Sequence, residues 1–209
     1  MYIVCSDLEG VFVPEIWVNI SLQTGIDELK LTTRDISDYN VLMKRRLELL
    51  KEHHLTLHDI QKVISRLEPL PGALDFVDWL RTRLQLILVS DTFIEFADPL
   101  MKQLRRPTLL CHHLTVDTDG NITDYILRQN DAKKKVVNAL QTLNYKVIAI
   151  GDSYNDISML RQADIGILFT PPLKVADENK DLPVIKSFDV LKETILQLID
   201  KSNKQVAVL

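Results

Sequence analysis

Three short stretches concentrate residues that could do chemistry. Asp7 and Glu9 flank a leucine directly after an apolar run. Ser90-Asp91-Thr92 follow a second such run, and Gly151-Asp152-Ser153-Tyr154-Asn155-Asp156 follow a third. Carboxylates placed this close repel one another unless a cation lies among them, so the pattern asks for a divalent metal. With oxygen donors and no His/Cys cluster, that metal is expected to be magnesium rather than zinc. Each stretch also has a plainer explanation taken singly: Asp-x-Glu as a turn, and Ser90 or Asp152 and Ser153 as helix caps. What favours chemistry is their shared placement after strands.

The elements that must position these residues can be read from periodicity. Tyr2–Ser6, 86–90, 147–150 and Ile165–Phe169 are short runs rich in Ile, Val and Leu, as expected of strands covered on both faces. Amphipathic patterns over 73–84, 132–143 and 190–199 predict helices between and after them. Strands alternating with helices imply a doubly wound α/β domain with a parallel sheet, and ligands there bind outside the carboxyl ends of the strands. The acid-bearing stretches fall at that edge.

One region breaks the alternation. From Glu15 to Glu68 only helical patterns occur: 15–24 ending at Gly25, 39–50, and 56–67 opening with Thr56 and Asp59 in capping-box spacing. This predicts a helical insertion over 15–70 in a core domain made of 1–14 and 71–209. Asp119-Gly120, between two alternating runs, predicts a hairpin.

Composition excludes several classes of function. With 209 residues, 46% hydrophobic and 26% charged, the chain suits one domain with an insertion and can bury a sizeable core. A net charge of −4 gives no general attraction to nucleic acid or anionic membrane, and no apolar segment is long enough to span a bilayer. Cys5 and Cys111, far apart in apolar runs, read as buried free thiols in a reducing compartment, so a cytoplasmic location is expected. His53, His54, His58, His112 and His113 show no metal spacing and are expected at the surface or at strand edges. Trp17 and Trp79 are expected in packing, with Trp17 also able to wall a pocket.

With these pieces in order, the chain resembles the haloacid-dehalogenase superfamily of phosphatases. DLEGV, VSDT, Lys133 in DAKKK, and GDSYND match its four motifs, and the helical insertion resembles the small cap of the phosphoserine phosphatase branch. DLEGVFVPEIW, TTRDISDYNVLMKRRL, SDTFIEF and AIGDSYNDISML resemble more narrowly those members that also transfer the phosphoryl group to homoserine.

The resemblance implies roles. Asp7 would be the nucleophile, forming an aspartyl-phosphate, and Glu9 the general acid and base. Magnesium would lie on Asp7, the backbone carbonyl of Glu9 and Asp152, with Asp156 behind it. Ser90, the amide of Asp91 and Lys133 would hold the remaining phosphoryl oxygens, and Asn155 would hydrogen-bond near the phosphate. Glu15 would meet the substrate's ammonium group and Arg46 its carboxylate. Most family members carry aspartate where this chain has Glu9. The longer arm is expected to move the base outward, where it can serve a homoserine hydroxyl as well as water.

The implied partners are phosphoserine, homoserine and water, in serine or threonine biosynthesis, with a homodimer left open. The nearest alternative is a phosphatase of the same fold acting on another small phosphomonoester. A phospho-accepting receiver module fits less well, because receivers place the acceptor after a later strand and lack a helical cap.

Overall fold

The computed structural model describes residues 1–32, 35, 36 and 38–206. Thr33, Arg34 and Ser37, within the TTRDISDYNVLMKRRL stretch, lie outside the described residues. The chain runs β1 (Tyr2–Ser6), α1 (Ile16–Thr24), a 3-10 turn (Asp27–Lys30), α2 (Tyr39–Glu52), α3 (Leu57–Ile64) and α4 (Ala73–Arg81). It continues β2 (Gln85–Phe93), α5 (Ile94–Gln103), β3 (Thr108–Val116), β4 (Ile122–Ile126), α6 (Ala132–Thr142) and β5 (Lys146–Gly151). A 3-10 turn (Tyr154–Asp156) leads into α7 (Ile157–Gln162), β6 (Ile165–Phe169), α8 (Leu173–Glu178), β7 (Val184–Ile185) and α9 (Phe188–Val206).

The strands form one sheet in the order β4-β3-β2-β1-β5-β6-β7, parallel except for the β3/β4 hairpin. Strand order reverses beside β1, the point at which open α/β sheets bind ligands. Both faces are covered, which explains the unbroken apolar runs. Val4, Leu88, Ile148, Ile150 and Ile167 face one buried cluster with Phe76 of α4, Phe96 of α5 and Ile195 of α9. Their neighbours Ile3, Cys5, Val89, Val147, Ala149 and Leu168 face the other cluster, with Val137 of α6 and Met159 of α7.

The helices between β1 and α4 form as their patterns predict. Gly25 ends α1 in a left-handed conformation that a residue with a Cβ adopts at a cost, φ 73°. Thr56 and Asp59 form the expected capping box on α3. Ile16, Ile20, Met43, Ile60 and Ile64 join the same cluster as α4 and α5, so this region shares the apolar core of one sheet face.

Two local features depart from the sequence reading. Ser90, Asp91 and Thr92 lie within β2, not after it, because the strand continues to Phe93 past a register irregularity against β3. The helix α5 was not expected, and it contains Pro99. Proline has no N–H for the carbonyl four residues earlier. Here that carbonyl, of Glu95, accepts the Gln61 side-chain amide from α3 at 2.8 Å.

Candidate active site

Strand register brings the acids together. Ser6 of β1 pairs with Ile150 of β5 and with Leu88 of β2, so Asp7, Asp152 and Ser90 all emerge at one edge. Asp7 is anchored there by its own N–H to the Ile150 carbonyl, 2.9 Å, and by Oδ1 accepting the Leu8 N–H, 2.8 Å. Gly10 has φ 75°, and a Cβ at that position would lie 2.5 Å from the Asp152 carboxyl carbon. Only glycine lets the loop after β1 close over this acid.

Asp7, Asp152 and Asp156 are all buried and offer carboxylate oxygens within 4.8 Å of one another. Asp156 is held on both sides. Its Oδ1 accepts from Lys133 at 2.7 Å, and its Oδ2 accepts the N–H groups of Asp152 and Ser153 at 3.0 and 3.1 Å. Lys133, in the first turn of α6, is itself buried and also reaches Asp7 Oδ2 at 3.0 Å and Asp91 Oδ2 at 3.5 Å. Lys134 and Lys135 are exposed, so Lys133 is the one that faces the acids.

Electrostatics follow from this crowding. Burial pushes the Asp7 carboxyl well up, and the charge of Asp156 adds to it against the pull of Lys133. Burial opposes the Lys133 cation, but Asp156, Asp7 and Asp91 together hold its pKa well above the ordinary lysine value. For Asp91 too burial pushes up, yet Lys133, His112 and Asn155 overcome it and hold the carboxyl below its usual range. Three buried carboxylates with all-oxygen donors fit a hard divalent cation, whose charge would relieve their mutual repulsion.

Asp7 opens into a cavity of about 630 Å³. Asp7, Glu9, Glu15, Arg46, Ser90, Asp91, Lys133 and Asn155, all singled out from sequence, line it. Asn155 donates to Asp91 Oδ2 at 2.8 Å and accepts from the Ser153 hydroxyl. Ser90 Oγ accepts the Thr92 N–H at 3.2 Å.

Glu9 is half-buried, and burial, with the charge of Glu15, raises its pKa to about 7. Its Oε2 accepts the N–H of Ile16 at 2.8 Å. Its longer arm therefore has a use the sequence did not suggest: it reaches the first residue of α1. Glu15 stands at the start of the same helix, exposed to the cavity. Arg46 is buried, and burial lowers its pKa to about 10, so it stays a cation at neutral pH.

One expectation about the histidines is corrected. His112 is buried and lines the cavity. Its Nδ1 accepts the Arg128 N–H at 3.1 Å, and Nε2 lies 3.7 Å from Asp91 Oδ1. Metal spacing was the wrong test for it. The available signal was its alternation with buried Leu114 about an exposed His113 along β3. Tyr39 also lines the cavity and was missed, since its ring reads as one more apolar helix residue. Trp17 both packs and walls the pocket. The two cysteines are buried and free, and burial pushes their thiols up to about 12 and about 11.

A buried aspartate after β1, a lysine from α6 and paired acids after β5 thus meet at the carboxyl edge of a mostly parallel α/β sheet, the class of site that the family model identifies as a hydrolase. The model of the haloacid dehalogenase-like hydrolases matches residues 13–164, and the chain belongs to that family. It is 54% identical over 202 residues to phosphoserine phosphatase ThrH of Pseudomonas aeruginosa, covering 97% of this chain and 98% of that protein. It is 53% identical over 206 residues to a phosphoserine phosphatase of Pseudomonas syringae pv. tomato, covering 99% and 86%. Among solved structures, a phospho-aspartyl intermediate analogue of phosphoserine phosphatase superposes with a TM-score of 0.74 at 23% identity, covering 92% of this chain and 98% of that one. No helix among the described residues is long and apolar enough to cross a membrane.

Proposed function

We propose that this chain is a magnesium-dependent phosphoserine phosphatase that works through an aspartyl-phosphate on Asp7 and can pass the phosphoryl group to homoserine. The observation that carries this reading is the buried Asp7 carboxylate, 3.0 Å from Lys133 at the floor of a cavity that Glu15 and Arg46 also line. The two Pseudomonas relatives support the substrate. We take 15–70 as a helical cap over a core of 1–14 and 71–209, and the cytoplasm as the place of work.

Asp7 attacks phosphorus as the bond to the seryl oxygen breaks, and Glu9, protonated near neutral pH, gives that oxygen its proton. Serine leaves. Glu9, now a carboxylate, takes a proton from water or from a homoserine hydroxyl as either oxygen attacks the aspartyl-phosphate. The products are phosphate or phosphohomoserine, and Asp7 is restored. Ser90, the amide of Asp91 and Lys133 neutralise and orient the phosphoryl oxygens, and Asn155 supports Asp91 beside them. Magnesium, held by Asp7, Asp152 and the Glu9 carbonyl and backed by Asp156, would supply charge neutralisation of the phosphoryl group.

Glu15 answers the ammonium group and Arg46 the carboxylate of phosphoserine. The test is to incubate the purified protein with magnesium and phosphoserine, with and without homoserine, and identify the products. Serine and phosphate are expected in the first case, with phosphohomoserine added in the second. A clear preference for another phosphomonoester would overturn the substrate assignment.

A further inference from the structure

The guanidinium of Arg46 is held by weak and neutral contacts. Nη2 donates to the Leu31 carbonyl at 2.7 Å, and Nη1 approaches the Met43 sulfur at 3.7 Å. The buried Nε has no hydrogen-bond partner. Arg46 lines the cavity, where the carboxylate assigned above would meet the guanidinium. What the chain itself provides is a face: the Arg46 Cζ lies 4.4 Å from the centre of the Trp17 ring. The ring is in turn braced edge-on by Phe96 of α5, centroids 5.4 Å apart at 68°. Phe96 is fully buried, so the brace is rigid.

We propose that Trp17 is a positioning residue that fixes the plane of the Arg46 guanidinium for the substrate carboxylate, so that Trp17 sets the preference for phosphomonoesters bearing one. This rests on the reading of Arg46 as the carboxylate clamp. The Trp17 face fixes the plane of the cation, and the Leu31 carbonyl fixes its rotation within that plane. Two acids stand ready to spoil the clamp, since Glu9 and Glu15 line the same cavity as Arg46. An arginine released from the ring would turn toward one of them. Its N–H groups would then be spent on the protein's own carboxylates, and the acid involved would be drawn from its own task. Stacking on tryptophan holds a cation without consuming a single N–H, which an acid could not do.

The experiment compares kcat/KM for phosphoserine and for O-phosphoethanolamine, which keeps the phosphate and ammonium but lacks the carboxylate. The proteins are wild type, Trp17→Phe, Trp17→Met, Arg46→Ala and the double variant Trp17→Met/Arg46→Ala, each checked for folding by thermal unfolding. Trp17→Met keeps apolar volume but loses the ring, and is expected to lower the phosphoserine-to-phosphoethanolamine ratio about ten-fold, mainly through the KM of phosphoserine. Trp17→Phe, with a smaller ring, is expected to fall between it and wild type, and decides the matter should the methionine variant not fold. In the Arg46→Ala background, Trp17→Met is expected to cost nothing further in that ratio. A ratio unchanged in both Trp17 variants, or Trp17 and Arg46 effects that simply multiply, overturns the proposal while leaving the Arg46 assignment intact. If Arg46→Ala lowers both substrates alike, the carboxylate clamp itself fails, and the proposal with it.

Discussion

At Asp7 the chain places a carboxylate where water scarcely reaches and then surrounds it with charge of both signs. Lys133 sits 3.0 Å from one oxygen, while a backbone N–H holds the other. On the proposed mechanism, an amide in the same place would keep the shape and lose the nucleophile. Asp7→Asn is therefore expected to cut turnover about a thousand-fold or more with the fold intact, read by steady-state kinetics beside circular dichroism. Glu9 makes a second test. Glu9→Gln can neither give nor take the proton and is expected to slow both hydrolysis and transfer by about a hundred-fold or more. Glu9→Asp loses the reach to Ile16 that the glutamate has at 2.8 Å. It is expected to keep some hydrolysis and lose proportionally more transfer. Free phosphate and phosphohomoserine measured in one reaction decide this, and an unchanged ratio would sink the idea that the longer arm serves the acceptor.

At the scale of elements, the interior proline of α5 ties two helices together. Pro99 leaves the Glu95 carbonyl without its usual partner, and Gln61 of α3 supplies one. Gln61→Ala should then cost about 1 kcal/mol of stability, since the carbonyl is partly buried. Urea unfolding would show it as a lower midpoint at unchanged slope. A variant as stable as wild type would mean that water replaces the amide fully. The irregularity of β2 has the opposite character, serving placement more than strength. By breaking the β2/β3 register between Val89 and Phe93, it puts Ser90 and Asp91 at the cavity wall within a continuing strand.

Across the whole molecule, the acid cluster joins two strands that are far apart in the chain. Asp7 follows β1, while Asp152 and Asp156 follow β5. A cation shared among them binds only the folded state, so saturating magnesium is expected to raise the melting temperature. At about a hundred times the dissociation constant the gain is about 2.7 kcal/mol. Asp152→Asn should abolish most of that shift, and chelation should remove turnover in the wild type. A melting temperature indifferent to magnesium would count against the metal site.

The sequence by itself determined the class of the fold and singled out eight of the residues that line the cavity. Unbroken apolar runs identified strands covered on both faces, and helical periodicity identified the helices after β1, because burial pattern is written locally in residue order. Asp7 and Asp152 were legible as candidates because residues that follow parallel strands converge by topology, whereas Ser90 lies inside β2 and Lys133 was singled out only through the family resemblance. Tertiary structure alone decided what those residues touch. Nothing near His112 in the chain announces that Asp91, twenty-one positions earlier, lies 3.7 Å from its ring. Nothing near Glu9 shows that its carboxylate caps the start of α1, or that Trp17 lies under Arg46 from a different helix. The helix over Ile94–Gln103 was hidden for the same reason. The partner that makes Pro99 tolerable comes from α3, thirty-four residues upstream of the carbonyl it satisfies. Local pattern sets which face of an element is buried; which side chains meet across that buried face is settled only when distant elements pack.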